Sequence, residues 1–215
     1  MVLTRALLLL SAVLLSSTCW AGYYDVLDNG EILPKGTYKL LGDAQLLTDS
    51  GGLNVSAAFD TGIDEEFGAR GLVGFGRTDY FFGGLLKWMP IPDIEGGQPA
   101  VGFNLGLLYG HWNDDSDLTI RWEPLVSKKF KIETAVVTPY ASIPVGVRIR
   151  NSNSNYNTSG TDVTWQLAVG SQLRVERWKN LQFMGEVGMD LGNALSYISL
   201  AAVWYFDFEH GFELK

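Results

Sequence analysis

The chain has 215 residues, a net charge of −8 and an isoelectric point of about 4.7, and apolar residues make up 47% of it. The length suits one domain, and the acidic balance argues against a nucleic-acid partner. Beyond the first residues no run reaches the ~18 consecutive apolar residues that a membrane-spanning helix requires, so the apolar residues must belong to many short elements.

The N-terminal residues are typical of a secretion signal. Arg5 precedes an apolar run from Ala6 to Leu15, which is too short to span a membrane as a mature helix. Cys19 and Ala21 supply the small residues that signal peptidase requires, so we predict a signal peptide of residues 1–21 that is cleaved after Ala21. Cys19 also allows a lipid-bearing cysteine, although no aliphatic residue lies three places before it.

The mature chain that this cleavage leaves, residues 22–215, contains no cysteine. Disulfides therefore cannot stabilise it in the oxidising compartment that it enters. A hydrophobic core or a lipid bilayer must do so instead. We expect a single domain that holds no cofactor.

Apolar residues recur at every second position along almost the whole mature chain, which is the period of a β-strand with one apolar face. Similar runs predict ten strands joined as hairpins. A count of eight stays open, because the runs from Phe67 to Met89 are weaker and the parity at Phe81 and Phe82 is ambiguous. The clearest run has apolar residues at Val101, Phe103, Leu105, Leu107 and Tyr109.

Three stretches between the predicted strands have the composition of longer loops. They are Pro90 to Pro99, Trp112 to Asp117 and Asn151 to Thr161, and the last consists almost wholly of Asn, Ser, Thr, Gly and Tyr. Gly and Pro in such stretches indicate turns rather than linkers between domains.

The polar face of the strands separates a membrane barrel from a soluble one. Acidic and basic residues are about balanced on it, and Arg predominates at the basic positions, which suits pairing with carboxylates in a confined lumen. A bilayer also requires closure, since every backbone N–H must be paired. We predict an all-β, antiparallel up-and-down transmembrane β-barrel. Its predicted lumen polar network comprises Asp43, Arg70, Arg121, Glu123, Arg148, Arg174, Glu186 and Asp190.

Aromatic residues concentrate near the ends of the predicted strands. Membrane barrels place such residues at the two headgroup layers of the bilayer. The residues concerned are Tyr38, Phe67, Phe75, Trp88, Tyr109, Trp112, Trp122 and Phe208.

Two stretches resemble the small outer-membrane barrels related to the opacity proteins and to the membrane domain of outer membrane protein A. The first runs from Thr138 through Pro139 and Tyr140 into Val145, Gly146 and Val147, like the family's Pro-Tyr strand followed by glycines. The second is the last strand, which ends on alternate aromatic residues and resembles the C-terminal signal read by the barrel assembly machinery. Those residues are Trp204, Phe206 and Phe208.

The chain departs from the family pattern in two places. Pro144 stands where the family usually has Gly, and a proline inside a strand removes a donor from the ladder, so we expect a bulge there. The chain also continues past Phe208 to Lys215.

The resemblance implies a protein of the outer membrane of a Gram-negative bacterium. Its partners would then be the membrane lipids and lipopolysaccharide around it, and the barrel assembly machinery during biogenesis. The resemblance defines no surface partner.

Few residues of the mature chain suit catalysis or metal binding. His111 and His210 are its histidines, and the serine closest to His111 at the predicted strand end, Ser116, is expected in the following loop. We therefore interpret His111 as a rim histidine. Three aspartates, Asp114, Asp115 and Asp117, could hold a divalent cation. Their spacing is not that of a calcium loop. This difference favours a solvated acidic loop.

The leading functional hypothesis is a non-enzymatic barrel with a largely plugged, charge-paired lumen, which reinforces the envelope or presents surface loops. A small diffusion channel is the alternative, since about eight strands fill with side chains and more strands begin to leave a passage. A lipid-modifying barrel enzyme is third. A soluble periplasmic β-barrel that binds an apolar ligand is fourth.

Overall fold

The computed structural model describes residues 24–94, 97–113, 115–152, 159–178, 180–208 and 211. Within these ranges twelve strand segments form one antiparallel sheet, and a 3-10 turn covers Glu176–Trp178. No helix in the described ranges is long and apolar enough to cross a membrane. The strands are β1 (Thr37–Leu47), β2 (Leu53–Gly62), β3 (Phe67–Gly76), β4 (Tyr80–Ile91), β5 (Ala100–Trp112), β6 (Asp115–Ser127), β7 (Phe130–Ile132), β8 (Ala135–Ser142), β9 (Val145–Ser152), β10 (Gly160–Val175), β11 (Leu181–Gly192) and β12 (Tyr197–Asp207).

The sheet closes into a barrel because β1 pairs with β12 along its whole length, from Thr37 opposite Asp207 to Leu47 opposite Tyr197. The twelve segments occupy ten strand positions around the barrel, which we call staves. One stave consists of β6 and β7, because β7 continues the line of β6 along β8. Another consists of β8 and β9, which together fill the position between β6 and β10. The prediction of ten strands is confirmed. The eight-strand alternative is wrong, because β3 and β4 pair as complete strands.

The stave made of β8 and β9 is interrupted at Pro144, where the sequence predicts a bulge. The Ile143 N–H reaches across to the Pro124 carbonyl at 3.3 Å, and the Gln166 N–H donates to the Pro144 carbonyl at 3.1 Å. The register of β10 against β11 shifts at the same level, between Trp165 and Gln166. The proline thus removes one ladder donor and divides the strand, and its neighbours adjust around the gap.

Both ends of the barrel have short connections. We call the end where β1 begins and β12 ends the terminus-side mouth, and the opposite end the far mouth. One expected loop is much shorter than its composition indicates: β5 runs to Trp112 and β6 starts at Asp115, so the stretch from Trp112 to Asp117 holds a two-residue turn. Asn113 supplies the positive φ of 52° that this turn needs. Most of the predicted loop from Asn151 to Thr161 lies outside the described residues.

Apolar and polar residues alternate along the strands as the sequence predicts, with the apolar residues on the outer face and the polar residues in the lumen. Apolar residues such as Leu86, Leu107 and Leu200 cover the outer face and are more than half exposed there. The pairing of β4 also settles its parity, since Phe81 is buried in the lumen and Phe82 lies outside. A soluble barrel would bury its apolar face, so the soluble alternative is overturned.

Aromatic residues form a belt on the outer face near each mouth. On the terminus side, Phe67 stacks on Trp88 with ring centroids 5.9 Å apart, and Trp88 meets Phe103 at 5.3 Å. Near the far mouth, Phe82 packs against Tyr109 at 5.2 Å. These are the positions of the two headgroup layers.

Trp112 contradicts the prediction that it belongs to a belt. Its side chain points into the lumen and is buried with Leu47, Leu195 and Tyr197 below the far mouth. It lies one position out of phase with the apolar face of β5, because the inward residues of that strand are the even-numbered ones.

Candidate functional site in the barrel lumen

The residues that precede β1 run through the lumen without regular secondary structure. We call residues 24–36 the lumen segment. Tyr24 at its start lies beside Gly110 towards the far mouth, and Leu33 near its end lies against Gly62 at the terminus-side mouth. Tyr24, Val26, Leu27, Asp28 and Asn29 are buried. An extended chain inside a closed barrel has to find partners for its backbone groups among the lumen side chains.

Glu186 of β11 holds the start of the lumen segment. Its carboxylate accepts hydrogen bonds from the backbone N–H groups of Val26 and Leu27, both at 2.8 Å. The hydroxyls of Tyr140 and Tyr197 donate to the same carboxylate at 2.8 and 2.6 Å. Four donors thus surround one buried carboxylate, which is the condition for keeping such a charge inside the barrel.

Arg70 of β3 holds the same stretch from its carbonyl side. Its guanidinium binds Asp60 through two nitrogens, at 2.7 and 2.9 Å, and donates to the Val26 carbonyl at 2.7 Å and the Leu27 carbonyl at 3.3 Å. Lys39 of β1 lies 2.5 Å from Asp60 on the other side. Arg70 therefore joins an ion pair of the wall to the backbone of the lumen segment.

Asp28 supplies a carboxylate from the lumen segment to the wall. Lys87 of β4 lies 2.6 Å from it, and the Asn104 amide donates to it at 3.0 Å. The Gly30 N–H also donates to Asp28, at 3.1 Å. Lys87 has Asp28 as its ion-pair partner, so the wall carries a cation that the lumen segment neutralises.

Arg121 of β6 makes a fourth connection between the wall and the lumen segment. It pairs with Glu123 at 2.6 Å and donates to the Tyr24 carbonyl at 2.9 Å. Glu123 also accepts a hydrogen bond from Asn104 at 3.0 Å. The pair and the amide join the Arg121 and Asp28 contacts into one network.

The structure brings together most of the predicted lumen polar network. Asp43, Arg70, Arg121, Glu123, Arg148 and Glu186 are all buried in the lumen. Arg148 lies towards the far mouth, where it meets Asp162 at 3.1 Å. Asp43 accepts a hydrogen bond from Ser56 on β2.

The remaining two residues of that predicted network lie at its edges. Arg174 is exposed and lines a cavity at the terminus-side mouth. Asp190 lies at the far mouth, where it accepts hydrogen bonds from the N–H groups of Gly192 and Ala194 at 2.7 and 2.9 Å. Asp190 therefore shapes the turn between β11 and β12 rather than joining the central network.

Sequence reasoning missed the lumen segment and Lys87. The thirteen residues from Tyr24 to Gly36 lack the period-two alternation of the strands, and their mixture of acidic and apolar residues was the one available signal. Lys87 was missed because the parity of β4 was ambiguous. Once Phe81 is placed inside, the alternation also places Lys87 inside.

The lumen segment leaves little space in the middle of the barrel. Two voids beside Tyr24 have volumes of about 10 and 20 Å³, which is room for about one water each. A larger cavity of about 790 Å³ opens at the terminus-side mouth. The described residues therefore leave space at one end of the lumen and fill its centre.

The acidic residues predicted for a solvated loop lie elsewhere. Asp115 and Asp117 belong to β6 and are buried in the lumen, where Asp117 lies directly opposite Arg150 of β9. Asp114 lies outside the described residues. Because the stretch is strand rather than loop, every second residue points inward. No group of three or more potential metal ligands occurs among the described residues.

The structure also corrects the position of Ser116. It lies in β6 rather than in a loop, and it pairs directly with His111 of β5. Both lie on the outer face of the far mouth, where the His111 ring packs on Tyr80 with centroids 5.0 Å apart. No hydrogen bond within the described part of the chain joins His111 to Ser116, whereas an activated serine has such a contact with its base. His210 lies outside the described residues.

The three aromatic residues predicted as an assembly signal lie on the outer face at the terminus-side mouth. Phe206 and Phe208 both pack on Tyr38, with ring centroids 5.5 and 4.7 Å apart. Trp204 lies on the same face of β12, directly opposite Leu40. Their reading by an assembly machinery remains a prediction.

A closed barrel with an apolar exterior, two aromatic belts and a charged interior defines this chain as a transmembrane β-barrel of the outer-membrane type. The sequence matches no protein-family model and no curated protein. Its fold is similar to an outer membrane channel from Pseudomonas putida F1, with 12% identity and a TM-score of 0.42 over 85% of this chain and 100% of that one. It is also similar to LpxR from Salmonella typhimurium, with 12% identity and a TM-score of 0.40 over 73% of each chain.

A third similar structure is the attachment invasion locus protein Ail of Yersinia pestis. It is 10% identical, with a TM-score of 0.30 over 80% of this chain and 100% of that one. Identities and TM-scores this low concern the general fold and carry no argument about function.

Proposed function

We propose that this chain is a sealed, non-enzymatic barrel of the Gram-negative outer membrane and that its role in the envelope is structural. The observation that carries the proposal is the lumen segment. It occupies the centre of a ten-stave barrel whose width would otherwise leave a passage, and side chains from three different strands, β3, β6 and β11, bind its backbone.

The connections favour a structural role over the presentation of loops. At the far mouth the links between strands are no longer than seven residues, and the link between β5 and β6 has two. Barrels that present binding surfaces need long loops outside the membrane. These links are too short to build one.

The proposal places the terminus-side mouth in the periplasm. Lipids and lipopolysaccharide would then surround the outer face, and Trp204, Phe206 and Phe208 would serve the assembly machinery from the periplasmic side.

Planar-bilayer recording on refolded mature protein tests the seal. We expect no stepwise current at voltages of either sign, because the lumen segment fills the centre of the barrel. Discrete current steps from the unmodified protein would contradict the proposal and support the diffusion channel instead.

A second candidate function is supported by the pairing of Ser116 with His111 at the outer face of the far mouth. The two residues lie directly opposite each other on adjacent strands. With His111 as the base, Ser116 could attack a lipid ester there. Mass spectra of lipid A from cells that express the protein or its Ser116→Ala variant test this candidate. Loss of an acyl chain with the native protein and not with the variant would show an enzyme, whereas identical spectra support the structural role.

A further inference from the structure

The cavity of about 790 Å³ lies beside the lumen segment at the terminus-side mouth. The segment leaves the barrel on the side of β2 and β4, where Leu33 contacts Gly62 and Gly30 contacts Met89. On the opposite side, β8, β10 and β11 therefore face open space. The volume falls within the range of sites that bind small molecules.

The floor of this cavity is made of buried polar side chains. Thr138, Gln172 and Gln182 are all more than nine-tenths buried and line it. Gln172 is already occupied, since it donates to Gln182 and to the Tyr205 hydroxyl and accepts from Asn29. The Thr138 hydroxyl makes no hydrogen bond to another described residue. The floor therefore offers a hydrogen-bonding group that the fold does not use.

The wall of the cavity carries cations. Lys131 and Arg174 both lie opposite Val136, one on each neighbouring strand, so they stand in one row about 10 Å apart on the inward face. Arg174 makes no hydrogen bond or ion pair with another described residue. The side-chain amide of Asn180, which lines the same cavity, also makes no hydrogen bond to another described residue.

The acidic residues of the cavity are largely neutralised within the fold. Glu31 lies 3.2 Å from Lys129 and accepts a hydrogen bond from Tyr205 at 2.8 Å. Asp93 lies 2.7 Å from Lys128. Glu176, on the same strand line as Arg174 and two residues further on, remains as an exposed carboxylate at the rim.

We propose that this cavity binds a small carboxylate that carries further hydrogen-bonding groups. The Arg174 guanidinium would receive the carboxylate, since its fork of N–H donors matches the two oxygens. Thr138 and Asn180 would bind the rest of the molecule. Two sources share this chemistry, namely sugar acids and the C-terminal end of short peptides.

Ligand binding to the mature protein in detergent micelles, measured by saturation-transfer NMR and calorimetry, tests the site. The probes are D-glucuronate for sugar acids and N-acetylglycine for peptide ends, with D-glucose as the uncharged control. We expect one of the two carboxylates to bind saturably with a Kd of about 1 mM, as suits a ligand of this size. Glucose should not bind, and the tighter of the two carboxylates identifies the source.

Two variants assign the binding to the cavity. Arg174→Gln should weaken carboxylate binding at least about tenfold, because a hydrogen bond to a charged group is lost. The matched control is Arg177→Gln, an exposed arginine three residues further on that does not line the cavity. Thr138→Val keeps the shape of the floor. It should weaken carboxylate binding, and the variant should still bind the carboxylates in preference to uncharged glucose.

Three results would overturn the proposal. They are no saturable binding of either carboxylate to the native protein, equal binding of glucose, and unchanged binding by the Arg174→Gln variant. The bilayer recordings measure the seal independently, so failure of this site and failure of the sealed barrel are distinguishable.

Discussion

Glu186 illustrates at the scale of one residue how this lumen tolerates buried charge. The residue is 3% exposed, and its carboxylate accepts four hydrogen bonds, two from the lumen segment and two from tyrosines of β8 and β12. Burial of a charge is costly without such partners, and here the partners also position the lumen segment.

Replacement of Glu186 by Gln should loosen the lumen segment. The amide keeps the shape but turns one acceptor into a donor that faces N–H and O–H groups, so we expect the free energy of unfolding to fall by about 2–4 kcal/mol. The free energy of unfolding is measured by urea titration, with the shift in gel mobility on unfolding as the readout. Glu65→Gln, an exposed change in the link between β2 and β3, is the control and should shift stability by less than about 0.5 kcal/mol. Equal effects of the two variants would contradict the assigned role of Glu186.

Asp93, in the link between β4 and β5, predicts a pH dependence. Partial burial alone would raise the pKa of its carboxyl, but hydrogen bonds from the Lys128 ammonium and the Lys129 N–H, both at 2.7 Å, hold the pKa below its ordinary value. A carboxyl with a lowered pKa stabilises the fold above its unfolded pKa of about 3.9, and the contribution is lost as the pH falls through the folded pKa.

We therefore expect the protection of the Lys129 amide against hydrogen exchange to fall below about pH 4. Asp93→Asn should lower that protection at neutral pH and remove its pH dependence. A native protein whose protection factor is the same at pH 6 and pH 3 would show that the carboxylate does not hold this link.

At the scale of the strands, inward glycines make room for inward aromatic rings on the neighbouring strand. Each such glycine lies directly opposite its aromatic partner, and a Cβ on the glycine would overlap the ring. In this way bulky side chains fit into a narrow lumen. The pairs are Gly74 with Phe81, Gly170 with Tyr140 and Gly188 with Tyr197.

Gly170→Ala tests this arrangement. The added methyl would meet the Tyr140 ring and approach the Gly185 carbonyl to 2.7 Å, so Tyr140 must move away from Glu186. We expect a loss of about 1–3 kcal/mol in the free energy of unfolding, measured by urea titration. Gly185→Ala adds the same methyl on the outer face of the adjacent strand, at an ordinary 3.5 Å from Leu200, and should be nearly neutral. A neutral Gly170→Ala would mean that the tyrosine is not confined.

At the scale of the whole molecule, the lumen segment is the part that separates a sealed barrel from a pore. The wall contains ion pairs of its own, such as Arg70 with Asp60 and Arg121 with Glu123, which do not involve the segment. Lys87, by contrast, would lose Asp28, its partner from the segment.

Deletion of residues 22–35 should therefore open the barrel. We expect small discrete conductance steps from the deletion variant in planar bilayers and none from the native protein, because ten staves leave a passage once the centre is empty. The folded fraction, read from gel mobility before boiling, serves as the control for assembly. A folded deletion variant without conductance would show that the wall side chains close the lumen by themselves.

Much of the barrel could be predicted from residues such as Val101 to Tyr109, because side chains on a strand alternate between its two faces and one face must meet lipid. The same alternation placed Arg70, Arg148 and Glu186 inside. The prediction for Trp112 was wrong because it assigned the stretch from Trp112 onwards to a loop, and composition alone does not show where a strand ends and a turn begins.

The sequence by itself determined the alternating strands, their apolar exterior and the charged character of the interior, since these follow from local periodicity. Only the tertiary structure decided what fills the lumen. Tyr24 to Gly36 carry no periodic pattern, and their place depends on contacts across more than a hundred residues, such as Val26 with Glu186. Such contacts exist only after the barrel has closed, because closure is what brings β3, β6 and β11 around one segment.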